Sequence, residues 1–297
     1  MPASLYVPTD AHGVEHAAGG PIGWGVLGNA MSRHSTPGHP VLLRAPSALL
    51  DVLDERIYRA EPMGDAASPL DGVVSAAAAR LTDLTRWDTE SATGLALDCA
   101  AHALGEAGGL ALPDGTTLTA VIDEARAALA GVIDDDGVHL GYLARLGALH
   151  RLRKNRSELG ALATGLITDD LARHLDALDD PDYRALAPLV DAVLAAIEAL
   201  RHHVVPRLVA AVEDAREEHE EHRVLDRASV MRVPTAEPTP WGTVEVGTGS
   251  LPFEPAWTSA REAARHARAT VEGRAGAAAA DQERSWQAEQ LEAILAG

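Results

Sequence analysis

The sequence predicts a mainly α fold: an Ala-rich helical bundle carrying a small N-terminal β-containing (α+β) module. Three observations lead there. Hydrophobic residues make up 46% of the 297 positions while aromatics make up only 3%, so Ala, Leu and Val carry the apolar content, as in closely packed helices. From Trp87 onward apolar residues recur with helical period, and before that point short β-type runs alternate with Gly/Pro clusters. The expected organisation is an α+β module over 1–85, a helical bundle over 86–232, a Pro-rich loop over 233–256 and a long C-terminal helix over 257–297 packing on the bundle.

In the module, Ser4-Leu5-Tyr6-Val7, Pro40 to Arg44 and Arg56 to Glu61 read as strands. Ser47 is a candidate N-cap for a short helix over 48–54 that presents Leu49, Leu50 and Leu53 on one face. Val73–Leu84 suits a strand by alternation and a helix by its alanines, so both readings stay open. The glycine-rich run 19–29 formally contains Gly23-x-Gly25-x-x-Gly28, but no hydrophobic strand precedes it and Pro37-Gly38 soon follows. It reads as a turn-rich loop or lid around Trp24 and not as a dinucleotide site.

Beyond it, Asp88 or Thr89 caps a helix to about Leu104, in which Ala92, Leu95, Ala96, Cys99 and Ala103 share a face, and Gly108-Gly109 ends it. A second helix covers 116–130 and stops at Gly131. Further helices are expected over 138–153, 168–178, 182–200 and 206–224, the last two forming an antiparallel hairpin. The loop with Pro234, Pro238, Pro240, Pro252 and Pro255 holds a candidate short strand at Trp241 to Val246 and leads to one final helix over about 257–295.

The segment Glu55 to Glu61, then Ala78 to Thr82, then Trp87-Asp88 and Leu95 to Leu104, resembles alanine-rich actinobacterial and phage-associated helical proteins, some of them labelled immunity proteins. The run from Ala260 to Ala264 through Arg284 to Leu291 is similar to the terminal helix of the same proteins. The resemblance implies a helical fold and a protein-binding role such as neutralising a toxin, and it supplies no catalytic residues. Residues 134–255 have no counterpart in it.

Charge narrows the function. With 25 Lys+Arg against 44 Asp+Glu the formal net charge is −19, which repels phosphate backbones and anionic headgroups, so neither a nucleic acid nor a membrane is the expected partner. Such a surface suits a basic protein, met through Asp169, Asp170, Asp179, Asp180 and Asp182 and through Glu217, Glu218, Glu220 and Glu221. The cluster around Glu218 and His222, one turn apart, reads as a solvated helix end, so no metal or other cofactor is expected. The basic run Arg151, Arg153, Lys154 and Arg156 reads as complementing the end of its helix. The single Cys99 lies in an apolar run and reads as a small buried hydrophobe. No continuous apolar run of about 18 residues occurs, and the first residues lack the order of a signal peptide, so a cytoplasmic location is expected.

An enzyme has no residue-level warrant in this sequence: there is no nucleophile elbow and no phosphate loop, and Ser32, His34 and His39 are candidates for a triad by composition alone. The alternative to the binding reading is an enzyme or small-molecule-binding protein of specialised metabolism. Its pocket between bundle and loops would be lined by Trp24, His34, His39, His139, His150, Arg151, His202, His203 and Trp241. A third reading is a scaffold forming a homo-oligomer through the C-terminal helix.

Overall fold

The computed structural model describes residues 4–11, 14–17, 20–23, 25–27, 30–34, 40–105, 116–131, 188–200 and 255–297, with the backbone alone over 14–34. Within them the chain is a mixed α+β fold, an antiparallel sheet packed against helices, where the composition predicted a mainly α chain. The strands are β1 (Leu5–Thr9), β2 (Val14–Ala17), β3 (Gly20–Gly23), β4 (Gly25–Leu27), β5 (Ala30–His34), β6 (Val41–Arg44), β7 (Arg56–Leu70) and β8 (Val73–Leu84). The helices are α1 (Pro46–Leu49), α2 (Thr89–Leu104), α3 (Leu118–Leu129), α4 (188–200), α5 (Ala256–Ala275) and α6 (Ala277–Ala296).

Much of the added β content lies in one hairpin. Strand β7 runs for 15 residues, well past the predicted end at Glu61, and β8 for 12. Pairing resolves the ambiguity of Val73–Leu84 in favour of a strand. Leu70 sits opposite Val73, so Asp71-Gly72 is a two-residue turn, and Gly72 has φ 68, which a glycine adopts without a Cβ clash. On its other edge β8 pairs β6 and then β5. Because β6 pairs β1 and β1 pairs β7, the strands β8, β6, β1 and β7 close on one another. Val7, Val41, Leu43, Ala60, Ala79 and Leu81 form a cluster drawn from all four.

Alternation in these strands joins the sheet to the helices. Val7 and Ala60 belong to the sheet cluster, whereas Tyr6 and Ile57, pointing the other way, are buried with Leu49, Leu50, Leu95 and Ile122 in the main core. Two hydrogen bonds pin the junction: Thr85 Oγ1 donates to the Ile57 carbonyl at 2.8 Å, and Trp87 Nε1 donates to the Asp54 carbonyl at 2.8 Å. Beyond Ala60, β7 has an exposed outer edge carrying Pro62 and Pro69, each lacking the N–H that a further strand would use.

Helix α2 begins as predicted. Asp88 accepts from the Ser91 backbone N–H at 2.8 Å, while Ser91 Oγ accepts from the Asp88 N–H at 2.8 Å, a reciprocal capping box. It ends at Leu104, as predicted, on Gly105, which has φ 48. Helix α3 is capped by Thr117, whose hydroxyl accepts from the Ala120 N–H.

Three expectations are corrected. The helix of 48–54 is the four-residue turn α1, which starts at Pro46 because that proline is already set for the first turn and needs no side-chain cap. The glycine-rich run is not a loop or lid but contributes β3 and β4, paired with β2 and β5 respectively. The single C-terminal helix is two, α5 and α6, reversed at Gly276, where φ 85 and ψ 177 take the backbone into a region open essentially to glycine alone. The halves fold back as an antiparallel pair, with Arg268 and Ala264 of α5 reaching Gln287 of α6. The expected helices of 138–153, 168–178 and 206–224 and the strand near Trp241 lie outside the described residues, and α4 is the described part of 182–200.

Candidate functional site

The buried side of α6 carries Glu283, Gln287, Leu291 and Leu295 at intervals of one turn, polar at one end and apolar at the other. The two leucines enter the main core. The two polar residues cannot be buried alone without losing hydration, and each is satisfied by a neighbouring element. Gln287 donates from Nε2 to Glu283 Oε1 at 2.9 Å and to the Ala264 carbonyl at 3.1 Å, and its Oε1 accepts from Arg268 Nη1 at 2.9 Å. Arg268 Nη2 continues to Asp51 Oδ1 at 2.6 Å, and Arg284 Nη1 reaches Asp51 Oδ2 at 2.9 Å and the Ser47 carbonyl at 3.0 Å. Burial pulls the Arg268 guanidinium below its ordinary range, and the adjacent Asp51 carboxylate pulls it back.

The outer end of this row is His102. Its Nδ1 lies 2.6 Å from Glu283 Oε2, and its ring stacks on Trp286 with centroids 3.8 Å apart and planes 9° from parallel. In the tautomer that carries its hydrogen on Nδ1, His102 donates to Glu283 Oε2. The side chain of His102 is 47% exposed while that of Glu283 is 2% exposed, so the imidazole bridges a buried carboxylate and solvent. Arg274 Nη1 donates to the carbonyls of Ala103 and Leu104 at 2.6 and 3.2 Å, satisfying the last turn of the helix that carries His102.

Cys99, one turn before His102, is fully buried as its sequence context predicted. Burial pushes its thiol far above the ordinary range, and the nearby Glu283 and Asp98 push the same way, so it is held as an inert thiol. Among the described residues no group of three or more His, Cys, Asp or Glu is arranged to hold a metal ion. No described helix is long and apolar enough to cross a membrane.

The sequence-derived candidates fall elsewhere. His34 ends β5, where its backbone lies opposite Ala78. Trp24, His39, His139, His150, Arg151, His202, His203 and Trp241 lie outside the described residues, as do Asp169, Asp170, Asp179, Asp180, Asp182, Glu217, Glu218, Glu220 and Glu221. Sequence reasoning missed the His102 cluster because its two halves are 181 positions apart. The available signal was the turn-by-turn row Glu283, Gln287, Leu291 and Leu295, in which polar residues continue an apolar stripe.

No protein-family model, no curated protein and no solved structure matches the chain.

Proposed function

We propose that this chain acts by binding a basic protein, in the manner of an immunity protein that neutralises a cationic toxin or nuclease domain in the cytoplasm. The observation that carries the reading is the net charge of −19. Such a field speeds encounter with a cationic partner and opposes anionic ones. Resemblance to alanine-rich helical proteins, some labelled immunity proteins, points the same way. In this reading an Ala-rich bundle built around α2, α5 and α6 is the rigid support, and the acidic segments 169–182 and 217–221 make the contact.

The test is native mass spectrometry of the chain isolated gently from its own host, beside a variant in which Asp169, Asp170, Asp179, Asp180, Asp182, Glu217, Glu218, Glu220 and Glu221 are replaced by lysine. The expected result is one stoichiometric basic protein that dissociates as salt is raised and is absent from the variant. A partner retained by the variant, a partner insensitive to salt, or no partner at all overturns the proposal.

A further inference from the structure

We infer that His102 is a nucleophilic imidazole whose substrate class is an uncharged activated acyl group, such as an ester or thioester. Four observations support this. His102 Nδ1 lies 2.6 Å from Glu283 Oε2, a contact that suits the tautomer with hydrogen on Nδ1 and the lone pair on Nε2. The stack on Trp286 fixes the ring plane, so the direction of that lone pair is fixed as well. The imidazole is 47% exposed, so a reagent from solvent reaches it. The net charge of −19 repels anionic electrophiles such as phosphoryl donors and leaves uncharged ones unhindered.

The chemistry balances with these groups alone. The Nε2 lone pair attacks the acyl carbon and an N–C bond forms. The carbonyl π pair moves onto oxygen and returns as the C–O or C–S bond to the leaving group breaks, expelling an alkoxide or thiolate. The Nδ1 hydrogen stays donated to Glu283 Oε2, whose carboxylate offsets the charge of the acylimidazolium, and the expelled alkoxide or thiolate takes its proton from solvent. Water then adds to the acyl carbon, the N–C bond breaks with its pair returning to Nε2, the carboxylic acid leaves, and the proton released by the water goes to solvent, so the ring is neutral again with its hydrogen on Nδ1. Cys99 does not compete, because its thiol is buried and kept protonated. This assignment uses none of the acidic residues of the partner reading and stands or falls separately.

The test treats the full chain with p-nitrophenyl acetate at neutral pH, following p-nitrophenolate release and mapping the acetyl adduct by peptide mass spectrometry. The chain has 13 histidines, and those other than His102 are internal controls. The expected result is acetyl on His102 ahead of every other histidine, with release reduced at least about tenfold in His102→Gln. Gln offers a side-chain N–H to Glu283 in place of the imidazole, and circular dichroism checks that this variant is folded. Glu283→Gln keeps the shape of the side chain and is expected to slow release by about tenfold and to change its pH profile. Should Glu283→Gln fail to fold, Trp286→Leu, which frees the ring plane, is expected to slow release instead. Acetyl spread evenly over the histidines, release unchanged in His102→Gln, or full reactivity in the folded second variant overturns the assignment.

Discussion

Gln287 and Arg268, 19 positions apart on the two arms of one helical hairpin, meet at 2.9 Å with both side chains buried. Their contact joins Asp51, beyond the short helix α1, to Glu283 and to His102 of α2, so one polar row ties three helices and the connection from α1 to β7 together.

Asp51 is the node on which Arg268 and Arg284 converge. Its removal leaves a guanidinium whose side chain is 10% exposed without its carboxylate, so Asp51→Ala is expected to cost about 2 kcal/mol in urea unfolding. The Arg80–Glu61 pair, more than half exposed on both sides, is the contrast: Glu61→Ala is expected to cost under about 1 kcal/mol. Equal costs would show that burial does not set the difference.

Gly276 and Gly94 are expected to respond to alanine with opposite sign. At Gly276, with φ 85 and ψ 177, a Cβ strains the reversal, and Gly276→Ala should destabilise by about 1–3 kcal/mol. Gly94 lies inside α2 with nothing within 4 Å of a built Cβ, so Gly94→Ala should stabilise by about 0.5–1 kcal/mol. Thermal unfolding of the two variants side by side decides both.

Among the described residues the buried Tyr6 hydroxyl has no hydrogen-bond partner. Tyr6→Phe keeps the ring and deletes the unsatisfied group, so it is expected to raise stability by about 1 kcal/mol. A loss of stability in chemical denaturation would mean that the hydroxyl makes a hydrogen bond in solution.

Cys99 gives a pH-dependent prediction with a definite sign. Its thiol pKa is raised in the folded state, so at mildly alkaline pH the unfolded chain releases a proton that the folded chain keeps. The contribution of Cys99 to stability is therefore complete below the ordinary thiol pKa of 9.0 and declines above it. Alkylation by iodoacetamide is expected to follow the global unfolding rate, with no fast phase as pH rises. A rapid phase in native buffer, or unchanged alkaline sensitivity in Cys99→Ala, would refute this.

Local signals were legible where chemistry and pattern coincided. The Asp88 cap placed the start of α2, helical periodicity placed α3 to within two residues, and β-type runs between Gly/Pro clusters placed β1, β6 and the first part of β7. The far half of the β7–β8 hairpin was not legible from propensity, because alanines such as Ala76–Ala79 follow whichever partner the turn provides. The reversal at Gly276 was hidden because a single glycine in an Ala-rich run costs a helix only about 1 kcal/mol, too little to separate a continuous helix from a hairpin. The acidic segments proposed for partner contact were legible as charge alone, whereas the His102 cluster needed the tertiary fold to join α2 to α6.

The row on α6 also acts as an index for assembly. Alanine surfaces are nearly featureless, and two such helices slide past one another at little cost in packing. A slip of one turn would put Leu291 where Gln287 answers Arg268, move Gln287 to the place of Glu283 and strand a carboxylate away from His102. Each misplacement leaves a buried polar group unanswered, so the wrong alignments are penalised one by one. The polar residues thus select a single seating for the hairpin on α2, which the surrounding alanines leave almost undetermined.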